Sequence, residues 1–176
     1  MYIKKLTVFS FLLLVVLGAK AQHYNLVIGP ELSLPTGNST TQSPIGYGGY
    51  VKGEIGLSPK FSITGSGGVV SFLGKKFLGP RAETLSYLPV KAGLKYYTDK
   101  NFYFEGQLGA SIPVNETGAT RFAWSPGAGT FIRSRNSNNQ FDFGLRYEGW
   151  TGKSTFTSKT TTFGFFTFRA GYAFNL

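Results

Sequence analysis

The sequence contains no cysteine, and this absence excludes several classes of protein at once. A chain without cysteine has no disulfide scaffold, no thiolate zinc site, no cysteine nucleophile and no lipid-modified N-terminal cysteine. The only histidine, His23, leaves little scope for a transition-metal site. We therefore expect no metal, no cofactor and no catalytic residue, and we interpret His23 as a terminal residue without a catalytic role.

Charged residues are also scarce in this chain. They make up 15% of the 176 residues, whereas soluble globular domains contain about 25%. Aromatic residues reach 16%, and there are 24 glycines. This composition argues against a helical bundle, and the large apolar content argues against a disordered chain.

A hydrophobic run long enough to form a membrane-spanning helix is absent. The longest candidate is the apolar run of residues 6–17, which follows Lys4 and Lys5 and precedes an Ala-x-Ala pattern ending at Ala21. A spanning helix needs about 20 residues, so this run is typical of an export signal. We predict a cleaved signal peptide over residues 1–21 and one domain over residues 22–176.

The rest of the chain alternates apolar and polar residues with a period of two, which indicates β-strands. The alternation predicts eight strands, at about residues 24–34, 47–58, 61–72, 88–96, 102–112, 122–134, 141–148 and 166–176. Strands of about ten residues match the length that a tilted strand needs to cross a bilayer. Short turns also alternate with longer polar loops, over residues 35–46, 73–83, 115–121 and 151–160. This order is typical of membrane barrels.

The charges on the polar faces of these strands indicate which face lies inside. Five acids and six bases occupy those faces, a near balance that a narrow interior requires because buried charges must be paired. These predicted lumen residues are Glu31, Lys52, Glu54, Lys91, Lys95, Glu105, Arg133, Asp142, Arg146, Glu148 and Arg169. Aromatic residues at the strand ends suggest interfacial girdles. These residues are Tyr24, Tyr47, Phe61, Tyr96, Phe102, Trp124, Phe141 and Phe174. We predict an all-β fold, an eight-stranded antiparallel transmembrane β-barrel.

Two alternatives to a structural membrane barrel stay open at this point. A secreted, lipocalin-like β-barrel carrying a small apolar ligand would place the same apolar residues in its core. A lipid-modifying barrel enzyme is the third possibility. Pro30, Pro89, Pro113 and Pro126 lie within or at the ends of strands, and we expect a bulge at each because proline lacks the ladder donor.

Three segments resemble the outer-membrane β-barrel domain often called the porin family of Gram-negative bacteria. They are LSYLPVKAGLKYYTDKNFYFEGQLGAS at residues 85–111, FDFGLRYEGW at 141–150 and FFTFRAGYAF at 165–174. Their features are shared with OmpA-like and OmpX-like barrels. The resemblance implies an eight-stranded integral outer-membrane protein without a defined catalytic activity and often without a proven pore.

The remaining basic residues cluster in or beside the longer loops. They are Lys75, Lys76, Arg81, Arg121, Lys153 and Lys159, and we expect them to attract the phosphates of lipopolysaccharide. Nucleic-acid binding is disfavoured because an exported chain lacks the required aromatic and basic groove. We further expect a monomer in the outer membrane, in contact with its lipid, whose C-terminal strand is recognised by the barrel-insertion machinery. The expected role is structural or surface interaction, not general diffusion.

Overall fold

The computed structural model describes residues 24–41, 43–74, 84–114, 119–133, 139–153 and 160–176. These residues form a short 3-10 helix, Gly37–Thr41, and eight strands. The strands are β1 (Tyr24–Pro35), β2 (Gly46–Gly56), β3 (Phe61–Phe72), β4 (Leu85–Tyr97), β5 (Phe102–Pro113), β6 (Arg121–Arg133), β7 (Gln140–Lys153) and β8 (Thr160–Asn175). The predicted signal segment and His23 lie outside the described residues.

The eight strands close into a barrel. Each strand pairs antiparallel with the next, and β8 also pairs antiparallel with β1. Closure leaves no strand edge with unpaired backbone groups. The predicted eight-stranded antiparallel barrel is therefore confirmed. Among the residues that the structure describes, no helix is long and apolar enough to cross a membrane.

The registers between strands determine how the strands tilt. A path that starts at Leu26 of β1 and follows paired residues around the barrel ends at Thr36, directly after β1, whose N–H donates to the Gly164 carbonyl at 2.9 Å. The path passes Gly53, Gly65, Ala92, Leu108, Trp124, Gly149 and Gly164. This displacement of ten residues along the chain gives a strand tilt of roughly 40° for eight strands. A barrel of this size is narrow enough for side chains to fill it.

The strand prolines do not produce bulges, which corrects the expectation from the sequence. Pro30, Pro89 and Pro126 each lie within an interruption of two residue pairs in one ladder, with the same register on both sides. Pro113 is the last residue of β5 and pairs with Tyr87. A residue of an antiparallel strand directs its N–H to one neighbour only, so the missing donor affects one ladder and needs no inserted residue.

The last hairpin is longer than the alternation predicts. Residues 151–160 were expected to form a loop, but β7 continues to Lys153 and β8 already begins at Thr160. Three of the four residues from 163 to 166 are phenylalanine, so apolar residues occupy both faces and the alternation of apolar and polar residues is lost there. Phe163 and Phe165 point into the barrel and are buried, whereas Phe166 is on the outer face and 43% exposed.

The outer face of the wall is apolar over the length of the strands. Leu94 is 60% exposed, Leu108 59% and Phe104 51%. Monomeric soluble proteins rarely expose contiguous apolar patches larger than a few hundred Å². The predicted girdle residues Tyr24, Tyr47, Phe61, Tyr96, Phe102, Phe141 and Phe174 are also exposed on this face, and Trp124 is half-buried there. This wall is suited to lipid, and the barrel is a membrane-spanning one.

Some glycines on the inner face of the wall are required because neighbouring strands approach closely. A Cβ added at Gly109 would lie 2.0 Å from the Val90 carbonyl oxygen and 2.7 Å from the Lys91 Cα. These are backbone atoms of the adjacent strand and cannot move aside. Gly106, on the outer face of the same strand, has no atom within 4 Å of the equivalent position.

We expect Gly109→Ala to lower the free energy of unfolding by about 1–3 kcal/mol, because the methyl group forces β4 and β5 apart. Gly106→Ala should leave it unchanged or raise it by about 0.4–1 kcal/mol, because alanine restricts the unfolded chain. Urea unfolding in phosphatidylcholine vesicles, followed by tryptophan fluorescence, measures both. Equal effects of the two substitutions would contradict the assignment of inner and outer faces.

Candidate functional site

The interior of the barrel is filled by three layers of side chains. We call the end with the longer loops the loop end and the opposite end the turn end. The loop-end plug contains Val70, Phe72, Tyr87, Ala123, Trp150, Phe163 and Phe165. The charge layer contains Glu31, Lys52, Glu54, Lys91, Lys95, Glu105, Asp142, Arg146, Glu148 and Arg169. The turn-end plug contains Val27, Tyr50, Tyr103, Phe131 and Ala173, with Tyr97 packed against it.

Aromatic rings in edge-to-face contact form the loop-end plug. The Trp150 ring lies 4.9 Å from Phe165 at an interplanar angle of 90°, and 5.7 Å from Phe72 at 88°. Phe72 also contacts Phe163 at 5.1 Å. Such contacts fill space densely and stabilise beyond simple burial. The predicted lumen residues do not include this layer, although Trp150 and Phe165 share the faces of charged lumen residues on their own strands, a signal that could have identified it.

Every member of the charge layer lies within an ion pair. The pairs are Lys52–Asp142 at 2.6 Å, Lys95–Glu54 at 2.5 Å, Arg146–Glu105 at 2.9 Å, Arg169–Glu31 at 2.7 Å, and Lys91–Glu148. The layer therefore holds five acids and five bases. Because their charges are balanced and directly paired, no net charge is left in the poorly hydrated interior.

Longer contacts join these pairs into a network. Glu105 joins two of the pairs, because Lys52 lies 3.8 Å from it as well as Arg146 at 2.9 Å. The Thr64 hydroxyl donates to Glu105 at 2.7 Å, and the Gln107 amide donates to it at 2.9 Å. Each oxygen of this carboxylate thus has charged or polar partners, as a buried carboxylate requires.

The turn-end plug is linked to the charge layer through cations on aromatic rings. The Lys95 ammonium lies 4.1 Å from the Tyr103 ring centroid and 4.8 Å from that of Phe131. The Tyr103 hydroxyl donates to Asp142 at 2.5 Å. These contacts hold the rings in place across the barrel, so the lumen is closed on both sides of the charge layer.

The structure places ten of the eleven predicted lumen residues together in the charge layer. Arg133 is the exception and corrects that assignment, since it is exposed at the end of β6. It faces the inner side, but it lies two residues beyond Phe131, which already closes the lumen. Its guanidinium therefore reaches the water at the turn end instead of a buried partner.

The predicted lipopolysaccharide contacts are only partly described. Lys75, Lys76, Arg81 and Lys159 lie outside the described residues. Arg121 and Lys153 are at the loop end, where the Arg121 side chain lies over Gly152, next to Lys153. Neither cation forms an ion pair within the described part of the chain. Across the ranges that the structure describes, no group of His, Asp and Glu residues is placed to hold a metal ion.

Comparison with known proteins identifies the fold. No family model and no curated protein matches the sequence. Among solved structures, Ail of Yersinia pestis is 18% identical with a TM-score of 0.57, over 86% of this chain and 98% of Ail. OprG of Pseudomonas aeruginosa is 12% identical with a TM-score of 0.56, over 90% and 98%. AlkL is 13% identical with a TM-score of 0.56, over 90% and 92%. The chain has the fold of these eight-stranded outer-membrane barrels.

We expect Glu105→Gln to lower the free energy of unfolding by about 3–5 kcal/mol, because it leaves the Arg146 charge buried without its partner. Asp99→Asn, in the exposed turn between β4 and β5, is the matched control and should change stability little. Urea unfolding in the same vesicles measures both variants. Equal losses would show that Glu105 is not held in a buried pair.

Proposed function

We propose that this protein resides in the outer membrane as a closed barrel, with a structural role and a role in surface interaction through its loop end. The observation that carries the proposal is the lumen, which is filled by an aromatic plug, a charge layer and a second aromatic plug in series. Solute passage would require each layer to open in turn. The protein is therefore not a general diffusion pore.

The close packing of side chains inside the lumen supports this proposal. Lys95, Lys52 and Tyr103 are among its largest side chains, and each is at most 1% exposed. Moving either lysine aside would break an ion pair and leave an uncompensated charge. A closed lumen also supports a role without catalysis, because the acids and bases of the charge layer are already paired with each other.

Planar-bilayer recordings test the closed lumen. The purified monomer should give no stable, large single-channel steps, because the three layers leave no continuous aqueous path. A wide general porin, reconstituted in the same bilayers, is the positive control. Stable steps of comparable size from this protein would overturn the proposal.

The soluble lipocalin-like alternative is not favoured. A carrier of that kind needs an apolar interior that can accept a ligand, with polar residues outside. Here Lys52, Glu54 and Arg146 are inside, and residues such as Leu94 and Leu108 are exposed. The inner face is thus charged and the outer face apolar, the opposite of what a soluble carrier requires.

We further propose that the loop end contacts lipopolysaccharide phosphates. Arg121 and Lys153 are both at this end of the barrel, and neither has an acidic partner in the described chain. The Trp124 indole is on the same part of the wall, donating to Thr151 at 3.4 Å, at a depth suited to the lipid interface. Ail, which shares this fold, was solved with the polyanion sucrose octasulfate, a heparin analogue.

We expect the double variant Arg121→Gln/Lys153→Gln to lose much of the thermal stabilisation that lipopolysaccharide gives the wild type. The measurement is the midpoint of heat-modifiable gel mobility, in nanodiscs with and without lipopolysaccharide. Lys60→Gln/Lys100→Gln, at the turn end, removes the same charge and should keep the stabilisation. Equal losses for both double variants would contradict a specific loop-end contact.

We also propose that β8 is the strand recognised by the barrel-insertion machinery, and that the barrel is monomeric. The outer face of β8 is aromatic at Phe166, Phe168 and Phe174, and the strand pairs with both β1 and β7. Closure by β8 satisfies every strand edge within one chain, which supports a monomer.

A chain lacking residues 173–176 should be exported but remain uninserted and sensitive to protease, because β1 loses part of its partner strand. Fractionation of the native host, with protease treatment, measures this. Normal outer-membrane levels and normal heat-modifiable mobility of the shortened chain would contradict the role of β8.

A further inference from the structure

We propose that the turn end of the barrel carries a binding site for an acidic saccharide. A concave cavity of about 420 Å³ opens there. We call it the turn-end bowl, and its defining residues are Lys60, Lys100, Arg133, Asn25, Gln140 and Asn175. The inference depends on the barrel fold alone, and not on the closed lumen or on the loop-end contact.

The charge of the turn-end bowl is unbalanced, in contrast to the charge layer. Lys60, Lys100 and Arg133 contribute three cations, and none of them forms an ion pair among the described residues. The only carboxylate that lines the cavity, as described, is Asp99, whose Oδ1 accepts the backbone N–H of Lys100 at 2.7 Å. A concave surface with excess positive charge attracts and concentrates anionic ligands.

The base of the bowl is aromatic. Tyr97 and Phe131 line the cavity, and their rings are inclined by 21° with centroids 6.4 Å apart. The Tyr97 hydroxyl donates to Glu54 inside the lumen, which fixes the position of the ring. The C–H face of a sugar packs well against such rings. A cavity lined by both cations and aromatic rings thus fits a ligand that is both anionic and flat on one side.

Side-chain amides complete the bowl. Asn25, Gln140 and Asn175 line its wall. An amide offers both donors and acceptors, which matches hydroxyl groups that also donate and accept. The cavity volume lies within the range of about 300–1,000 Å³ found for small-molecule sites. The bowl therefore has the size and polar groups suited to a short acidic saccharide.

An acidic peptide is the competing ligand, and the barrel geometry disfavours it. Extended peptides commonly bind by adding a strand to an exposed sheet edge. All eight strands described here are paired on both sides, so no edge is available at the turn end. A peptide would have to bind through side-chain contacts alone, whereas the saccharide uses the amides and the rings directly.

Calorimetric titration of the full barrel, in phosphatidylcholine nanodiscs, tests the proposal with digalacturonate as the probe. We expect saturable binding that weakens with salt, and binding of neutral digalactose at least tenfold weaker. Lys100→Gln/Arg133→Gln should weaken digalacturonate binding at least tenfold. Arg121→Gln/Lys153→Gln, with the same charge change at the loop end, should leave it unchanged.

Two further measurements separate a built site from general attraction. Asn175→Ala, which alters no charge, should weaken digalacturonate binding about threefold or more and leave its salt dependence intact. Lys60→Gln lies in an exposed turn and should also weaken digalacturonate binding. This single variant tests the site even if the double variant does not fold.

Three results would overturn the proposal. They are the absence of digalacturonate binding at millimolar concentration, binding of digalactose as tight as that of digalacturonate, and a loss of digalacturonate affinity in Arg121→Gln/Lys153→Gln equal to that in Lys100→Gln/Arg133→Gln. Tighter binding of diglutamate than of digalacturonate would also overturn it and would assign the bowl to acidic peptides. Failure of these tests leaves the closed-lumen proposal standing, because the recordings that test conduction do not involve the bowl.

Discussion

The requirement that buried charges be paired governs this structure more than any other interaction. Eight strands with this tilt enclose a lumen too narrow for bulk water, yet ten charged side chains point into it. They are tolerable because each acid meets a base at short distance. An apolar interior would not have required paired charges. The network instead joins strands that are not neighbours, as when Lys52 of β2 meets Asp142 of β7.

The charge network holds rings of the turn-end plug in place, and both aromatic plugs separate the network from water. Rings at both ends separate the ion pairs from water, and cation–π contacts such as Lys95 with Tyr103 connect the layers. A closed interior leaves the two ends and the outer wall as the surfaces available for interaction. The ends differ in chemistry, because the loop end presents Arg121 and Lys153 near the lipid interface, while the turn end forms a bowl of cations and amides.

Much of the fold could be predicted because its main determinant, the alternation along each strand, is local. Alternation of apolar and polar residues is set by the strand period, and the ten charged residues of the lumen all fall in the predicted phase. The errors arose where this signal was absent. Phe163 and Phe165 are apolar but face inward, directly before the outward Phe166, so apolar residues no longer mark the outer face there. Pro30 and Pro126 were expected to bulge, because the sequence does not show which ladder would lose a donor.

The sequence by itself determined the number of strands and which residues of each strand share a face with the charged ones, because both follow from residues adjacent in the chain. The tertiary structure alone decided which charges meet, since Lys91 and Glu148 are 57 residues apart and depend on the registers of the closed barrel. It also decided that Arg133 is outside the charge layer. Its position in the alternation is correct, but only the depth at which Phe131 closes the lumen places its guanidinium in water.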